Sequence, residues 1–414
     1  MRFIPILSTA THSTTMLPIE RRASASLALI FALRMLGLFL VLPVFALEAR
    51  KYPGGDDPAM VGLAMGIYGL TQGLLQIPFG MASDHFGRKR VMVLGLLIFA
   101  AGSLLAASAT TLPWLLAGRA LQGAGAISAA VTALLADLTR DAVRTKAMAM
   151  VGASIGLMFA LSLVVAPPLA AAIGLQGLFA LTGVLALMGI AVVLWVVPPA
   201  PSLADHPAAP RLAGLAQVLA DKALQRLNFG VFVLHAVQLA MWVAVPALLV
   251  QAGLPKMAHW QVYLPAVLAS FGFMGAVFAM ERRGRLRGVF LASIGLILLV
   301  QVGLLFVLQM DASQALWPLG LLLFVFFCGF NALEATQPSL VSRLAPQHAR
   351  GAALGVYNTL QSLGFFMGGA LGGWLVKHWG PQGLFVACGI ATLAWLLAAW
   401  GMQAPPAKSA VKQP

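Results

Sequence analysis

Asp84-His-Phe-Gly87-Arg88-Lys89-Arg90 separates two uncharged runs, 58–83 and 91–118. At a displacement of 197 residues, Glu281-Arg-Arg-Gly284-Arg285-Leu-Arg287 separates two more, 257–280 and 288–310. Both junctions read acid-x-x-Gly-Arg-x-Arg. Most of these runs approach or exceed the ~20 apolar residues that cross a hydrocarbon core of ~30 Å at 1.5 Å per residue. The same displacement carries Asp137, at the end of one run, onto Glu334 near the end of another. Two coincidences at one offset point to an internal duplication.

Outward from these junctions, further uncharged runs cover 120–136, 147–204, 227–255, 312–333, 351–376 and 378–407. The run 120–136 extends back through Arg119 to Trp114. The run 147–204 is long enough for two spans, with a break at Gly174-Leu-Gln-Gly177, and 24–47 adds a first span interrupted only by Arg34. Twelve spans result. The alternating segments of ~10 residues that barrel strands need are absent, so the spans are helices. The expected fold is an all-α membrane protein of two pseudo-symmetric six-helix bundles. Its parts are a tail at 1–23, a first bundle at 24–200, a linker at 201–225, a second bundle at 226–402 and a tail at 403–414. Pro198-Pro-Ala-Pro201 closes the sixth span, and Pro207, Pro210 and scattered charges fill the linker.

The chain of 414 residues is 60% hydrophobic and 9% charged, against roughly 25% charged in a soluble domain. A formal charge of +14 is compatible with nucleic acid, but its placement is not. With the N-terminus inside, one side carries Arg2, Arg21, Arg22, Arg88, Lys89, Arg90, Arg140, Arg144, Lys146, Arg211, Lys222, Arg226, Arg282, Arg283, Arg285, Arg287, Arg343, Arg350, Lys408 and Lys412. The other carries only Arg50, Lys51, Lys256 and Lys377. This positive-inside bias places both termini in the cytoplasm of a bacterial inner membrane and excludes a nucleic-acid partner. Cys328 and Cys388 fall inside spans, so neither a disulfide framework nor a metal site is expected. The first residues lack a signal peptide, and Met16 offers an alternative translation start. Gly152-Ala-Ser154-Ile-Gly156 fits the nucleophile-elbow pattern, but the serine lies in an uncharged helical span rather than a strand-to-helix turn. With no Walker A lysine and no His-Glu-x-x-His, no enzyme and no cofactor is expected. Gly62/Gly66, Gly69/Gly73, Gly364/Gly368 and Gly369/Gly373 are spaced for close helix approach, as static packing or as a moving interface.

Gly80-Met-Ala-Ser-Asp84-His-Phe-Gly87-Arg88-Lys89-Arg90 resembles motif A of the major facilitator superfamily, and Leu116-Ala-Gly-Arg119-Ala-Leu-Gln-Gly123-Ala-Gly125 resembles its motif B. Leu33-Arg34-Met35-Leu-Gly37…Leu42-Pro43 resembles the first span of drug-exporter-like members. Tyr68-Gly-Leu-Thr-Gln72…Gln76-Ile-Pro-Phe79-Gly80 and Asp137-Leu-Thr-Arg140…Arg144-Thr-Lys146 extend the likeness over most of residues 16–402. The resemblance implies that Asp84 holds the N-terminus of span 11 in an outward-facing state and that Arg88 pairs with Asp137. The bland alternative is that 84–90 is a topogenic positive loop. Two features depart from the family pattern. The antiporter motif of span 5 keeps Gly152 and Gly156 but reads Ala166-Pro167-Pro168 at its end, and a cytoplasmic domain after span 12, present in a similar member, has no counterpart.

The expected inner-face latch comprises Gly80, Asp84, Gly87, Arg88 and Asp137, with Glu281, Gly284, Arg285 and Glu334 as its second-half counterparts. Glu334 is assigned to it by the repeat, within reach of Arg285 or Arg287, in preference to a substrate or proton site. Ionisable groups at depth are costly and often functional. Arg34, near the midplane of span 1, attracts an anionic group or caps glutamines and backbone carbonyls; both readings stand. Arg119 resembles a motif B arginine implied in proton transfer. His235 titrates near neutral pH or serves as a plain hydrogen-bonding residue. The remaining cavity candidates are Tyr68, Gln72, Gln76, Gln122, Asn228, Gln238, Trp242, Tyr263, Asn331, Tyr357, Asn358 and Gln361, whose amide and aromatic groups suit moderately apolar solutes or serve as contacts between helices. The leading expectation is proton-coupled efflux of small amphipathic or drug-like compounds by alternating access, by a monomer in the lipid bilayer. An exporter or uniporter of anionic metabolites is the runner-up, and a channel or receptor the rival class.

Overall fold

A computed structural model describes residues 15–199, 211–346 and 349–402. The outer parts of both expected tails and the start of the linker, 200–210, lie outside the described residues. Spans 1 to 3 are Pro18–Glu48, Pro58–Phe86 and Arg88–Ala107; span 4 is Leu112–Ala124 continued by Ser128–Asp137. Spans 7 to 10 are Lys222–Gln251, Trp260–Arg282, Leu286–Val307 and Leu316–Leu344. The two remaining segments, Asp141–Ala191 and Arg350–Trp400, hold 51 residues each. A straight helix of that length would run about 77 Å, more than twice a hydrocarbon core. Each is broken at one residue, Gly174 (φ 68°, ψ −178°) and Gly380 (φ 64°, ψ −174°), a left-handed conformation that favours glycine. Divided there, they supply spans 5, 6, 11 and 12. Among the described residues every regular element is helical.

Two boundaries differ from expectation. Span 1 starts at Pro18, inside the expected tail, because Pro18 takes the first helical position and the Glu20 carboxylate accepts the Leu17 N–H at 2.8 Å. The described part of the linker is a helix, Arg211–Ala220, whose Leu215 and Val218 lie on one face and join the core. Asp221 then caps span 7, accepting from the N–H groups of Ala223 and Leu224.

The bundles meet where span 1 faces span 7 and span 2 faces span 11. Gly62 lies against Gly369 and Gly373, Gly66 against Phe366, and Gly69 against Ser362 and Phe366. A Cβ on any of the three would press into the opposite backbone, so these helices touch main chain to main chain. At the other end Gly80 meets only Ala129 of its own bundle, and no described atom lies within 4 Å of a Cβ built on Gly351 or Gly355. Spans 2 and 11 therefore converge at one face and diverge at the other. The start of span 1 and the end of span 12 lie at the diverging end, called here the termini face; the opposite end is the far face.

Candidate functional site

On the termini face Arg88 joins three groups. It donates to the Asp84 carboxylate, to Asp137 at 3.0 Å and to the Ser83 hydroxyl at 2.8 Å. Gly87, with φ +98°, makes the turn that brings the start of span 3 back beside span 2. In the second bundle Gly284 makes the equivalent turn with φ +75°, but the pairing differs. Glu281 accepts from Arg343 at 3.2 Å, Arg287 donates to the Trp400 carbonyl at 2.6 Å, and Arg285 is exposed.

Glu334 is not among these groups, which corrects its expected pairing with Arg285 or Arg287. Span 4 ends at Asp137, whereas span 10 continues to Leu344. Equal sequence offset therefore puts Glu334 roughly 15 Å before its helix end. Its carboxylate lies 2.9 Å from Nε2 of His235.

The buried cations of the first bundle each make several hydrogen bonds, with Arg34 Nε alone of its nitrogens lacking a described partner. Arg34 donates to the Tyr68 hydroxyl (2.9 Å), the Ser128 hydroxyl (3.0 Å) and the Gly125 carbonyl (3.4 Å). Arg119 donates to the carbonyls of Ala64 and Met65 and to the Gln122 amide oxygen, and Gln122 donates to Ser103. Only 1% of Arg34 and 2% of Arg119 is exposed, so neither guanidinium is available to a solute. Among the described residues the partners of Arg34 are two hydroxyls and a backbone carbonyl; no glutamine of the capping reading is among them.

The wall of the second bundle is different in kind. His235 Nδ1 lies 2.8 Å from the Val231 carbonyl, while Nε2 meets both Glu334 and, at 2.7 Å, the Gln361 amide nitrogen. Phe330 and Phe365 stand edge-on to the imidazole at 6.0 and 4.8 Å. From Phe330 an aromatic seam crosses between the bundles: Phe159 of span 5 lies 6.5 Å from Phe330, 6.1 Å from Phe327 and 5.1 Å from Phe39 of span 1. Gln238 and Trp242, one and two turns farther along span 7 from His235, line a cavity of about 10 Å³ with Phe326 and Phe327, room for about one water. Asn331 donates to Ser270 at 2.8 Å. Gln72 and Asn358 are half-buried, and both amide atoms of buried Gln76 and the hydroxyl of buried Tyr357 have no described partner.

The far face holds contacts the sequence reading missed. Buried Glu48 of span 1 accepts from Lys256, ahead of span 8, and from Lys51 at 2.9 Å. Asp57, the cap of span 2, accepts from Lys377 of span 11 at 2.7 Å. Both Lys256 and Lys377 bind the opposite bundle. Their signal was present as scarcity, since they are two of the four cations expected on that side.

The family model described as Major Facilitator Superfamily matches residues 27–369 and 227–414. The chain is 42% identical over 399 residues to the inner membrane transport protein YajR of Escherichia coli (strain K12), covering 96% of this chain and 87% of that one. It is 28% identical over 387 residues to the multidrug resistance protein MdtH of Aeromonas hydrophila, covering 90% and 94%. Among solved structures, a D-xylose-proton symporter superposes with a TM-score of 0.71 at 15% identity, covering 92% of this chain and 97% of that one.

Proposed function

Because this chain belongs to the major facilitator superfamily, we propose that it is a proton-coupled exporter of small amphipathic solutes, neutral or cationic, working by alternating access. It is a multi-pass inner-membrane transporter, and its relatives and fold are those of solute carriers rather than enzymes. The observation that carries the reading is the aromatic seam between the bundles, with Glu334 at its edge. Glu334 is one-third exposed, whereas both mid-depth arginines are turned inward. An apolar, π-rich surface beside an acid favours a solute with aromatic bulk and neutral or positive charge. It disfavours the anionic-metabolite reading, which needs Arg34 free.

Direction follows from charge. The positive-inside bias makes the termini face cytoplasmic, so the converged spans 2 and 11 close the outer side and open the seam toward the cytoplasm. In the opposite state the termini face must close. Asp84, on the last turn of span 2, then supplies the negative charge for the positive end of span 11. Export is supported by the relative named a multidrug resistance protein, and proton coupling by the symporter that shares the fold.

Everted proteoliposomes test the reading with ethidium as probe. Saturable ethidium accumulation that rises with an imposed pH gradient is expected. Flux that never saturates, or preference for a matched aromatic anion such as naphthalenesulfonate, overturns it.

A further inference from the structure

We propose that the protein carries two equivalent sites for an anionic phospholipid headgroup, where span 6 and span 12 end on the termini face. Neither site depends on which solute is carried. The observation behind them is a set of cations that meet no acid. Arg22, at the start of span 1, donates from Nε to the Val196 carbonyl at 2.9 Å and from a terminal nitrogen to the Trp195 carbonyl at 3.5 Å. Lys89, at the start of span 3, donates to the Val197 carbonyl at 2.6 Å. The second bundle repeats the arrangement. Arg226, at the start of span 7, donates to the Gly401 carbonyl at 2.6 Å, and Arg287, at the start of span 9, to the Trp400 carbonyl at 2.6 Å.

Elsewhere on this face Arg88, Arg140 and Arg343 meet carboxylates. These four cations meet main-chain carbonyls, and among the described residues none has a carboxylate partner. A helix C-terminus carries roughly half a negative charge, so two cations on one such end leave an excess of about +1.5. Each also keeps N–H donors beyond those the carbonyls take, since an ammonium has three and a guanidinium five. A phosphodiester supplies both the missing negative charge and the acceptors.

What lies beneath selects a lipid over a free anion. Trp195 and Trp400 are 76% and 62% exposed at the ends of apolar spans, the level at which indole rings settle in a bilayer. On span 6, Val184, Leu187, Met188 and Leu194 are exposed in the turns before Trp195. On span 12, exposed Val386, Ile390, Leu393 and Leu397 recur at three- and four-residue spacing and lead to Trp400, which puts them on one face. Ile390, about 15 Å deeper than Trp400, opens into a groove of about 440 Å³ shared with Trp379, Gly383 and Val386. That depth is the middle of a ~30 Å hydrocarbon core, where the acyl chains of one leaflet end. Cation pair, indole and apolar stripe therefore stand in the order of headgroup, glycerol region and chain.

Fluorescence of the full chain in lipid vesicles tests the sites. The wild type is placed in phosphatidylcholine vesicles holding a small fraction of brominated phosphatidylglycerol or, in parallel, brominated phosphatidylcholine. Two of the nine tryptophans sit at the sites, so the anionic lipid should quench more, half-saturating at about thirtyfold lower mole fraction. The excess should vanish in Trp195→Phe with Trp400→Phe. Equal quenching by the two lipids, or an excess that survives loss of both indoles, overturns the proposal. Arg22→Gln with Lys89→Gln should remove the span 6 share and Arg226→Gln with Arg287→Gln the span 12 share, each lost cation weakening binding about fivefold. Arg90→Gln with Arg285→Gln, which removes two exposed cations of the same face, should leave the excess intact; an equal loss there would mean diffuse attraction and no site. Inorganic phosphate should not displace the lipid, and displacement would overturn the lipid assignment in favour of a free anion. If a glutamine pair fails to fold, the indole pair decides alone.

Discussion

The two faces of the molecule use charge in opposite ways. Among the described residues, the ion pairs of the termini face stay inside one bundle: Glu20–Arg140 and Asp84–Arg88–Asp137 in the first, Glu281–Arg343 in the second. On the far face, Glu48–Lys256 and Asp57–Lys377 each join the two bundles. Backbone contact follows the same division: it is dense between spans 2 and 11 at the far face, while no described atom lies within 4 Å of a Cβ built on Gly351 or Gly355. The lesson is mechanical. On the proposed alternating-access reading, each termini-face cluster stiffens a body that moves, and each far-face pair is a latch that must break for the bundles to rock. The half-exposed Asp57–Lys377 pair is worth about 0–1 kcal/mol and opens under a small load, whereas buried Glu48 holds its corner more firmly.

The largest effect that could break this contrast comes from steric filling. Gly369→Val pushes methyl groups into the backbone of Gly62 and Gly66 and costs about 1–3 kcal/mol by overpacking. Transport should fall more than tenfold, and a cysteine placed at Asp56 should label freely from the far side. The native thiols are buried and give little background. Gly355→Val, beside open space, should leave the melting temperature nearly unchanged; equal damage from both variants would end the comparison.

Comparable in free energy but with a smaller expected effect on transport is Glu48→Gln, which strips Lys256 and Lys51 of their shared carboxylate. A loss of about 1.5–3 kcal/mol from the closed far face is expected, read as faster labelling at the same cysteine. The double exchange Glu48→Lys with Lys256→Glu should recover part of it, and no recovery would mean that packing alone holds this corner. Asp84→Asn is smaller on stability, about 1 kcal/mol, since Arg88 keeps Asp137. It should impair transport with expression intact, and unchanged transport would remove Asp84 from gating.

The smallest effect is the pH response of Asp57. The Lys377 ammonium first, opposed by desolvation and aided by the Ala59 N–H, holds the Asp57 carboxyl below its ordinary value. A lowered acid contributes its stabilisation in full above the ordinary value of about 4 and loses it as pH falls through the lowered one. Far-face labelling should therefore rise only in strongly acidic buffer, and Asp57→Asn should abolish that rise.

The spans were legible because charges punctuate the apolar runs, and the Arg88 junction because its acids and glycine stand at fixed spacing. Glu334 was misplaced for a physical reason: the repeat conserves offset, while span 10 outruns span 4 and carries the same ordinal position deeper. Arg343, the last charge before span 10 ends, was the available clue to the true partner of Glu281. The aromatic seam was not legible. Helices that are apolar all round give no face to read, and Phe39, Phe159 and Phe330 look like any of the 23 phenylalanines. The far-face lysines were visible, but their acids lie 208 and 320 positions away and only folding chooses them.

The breaks at Gly174 and Gly380 also limit how the protein can be handled. Each far-face corner there is a single residue between two rods, leaving no strand for a protease cleft to grip and no slack for an inserted tag. Epitopes, nicks and crosslinkers aimed at that side have to use the longer connections at 49–57, 252–259 and 308–315. The two hairpins will leave any digest as intact double helices.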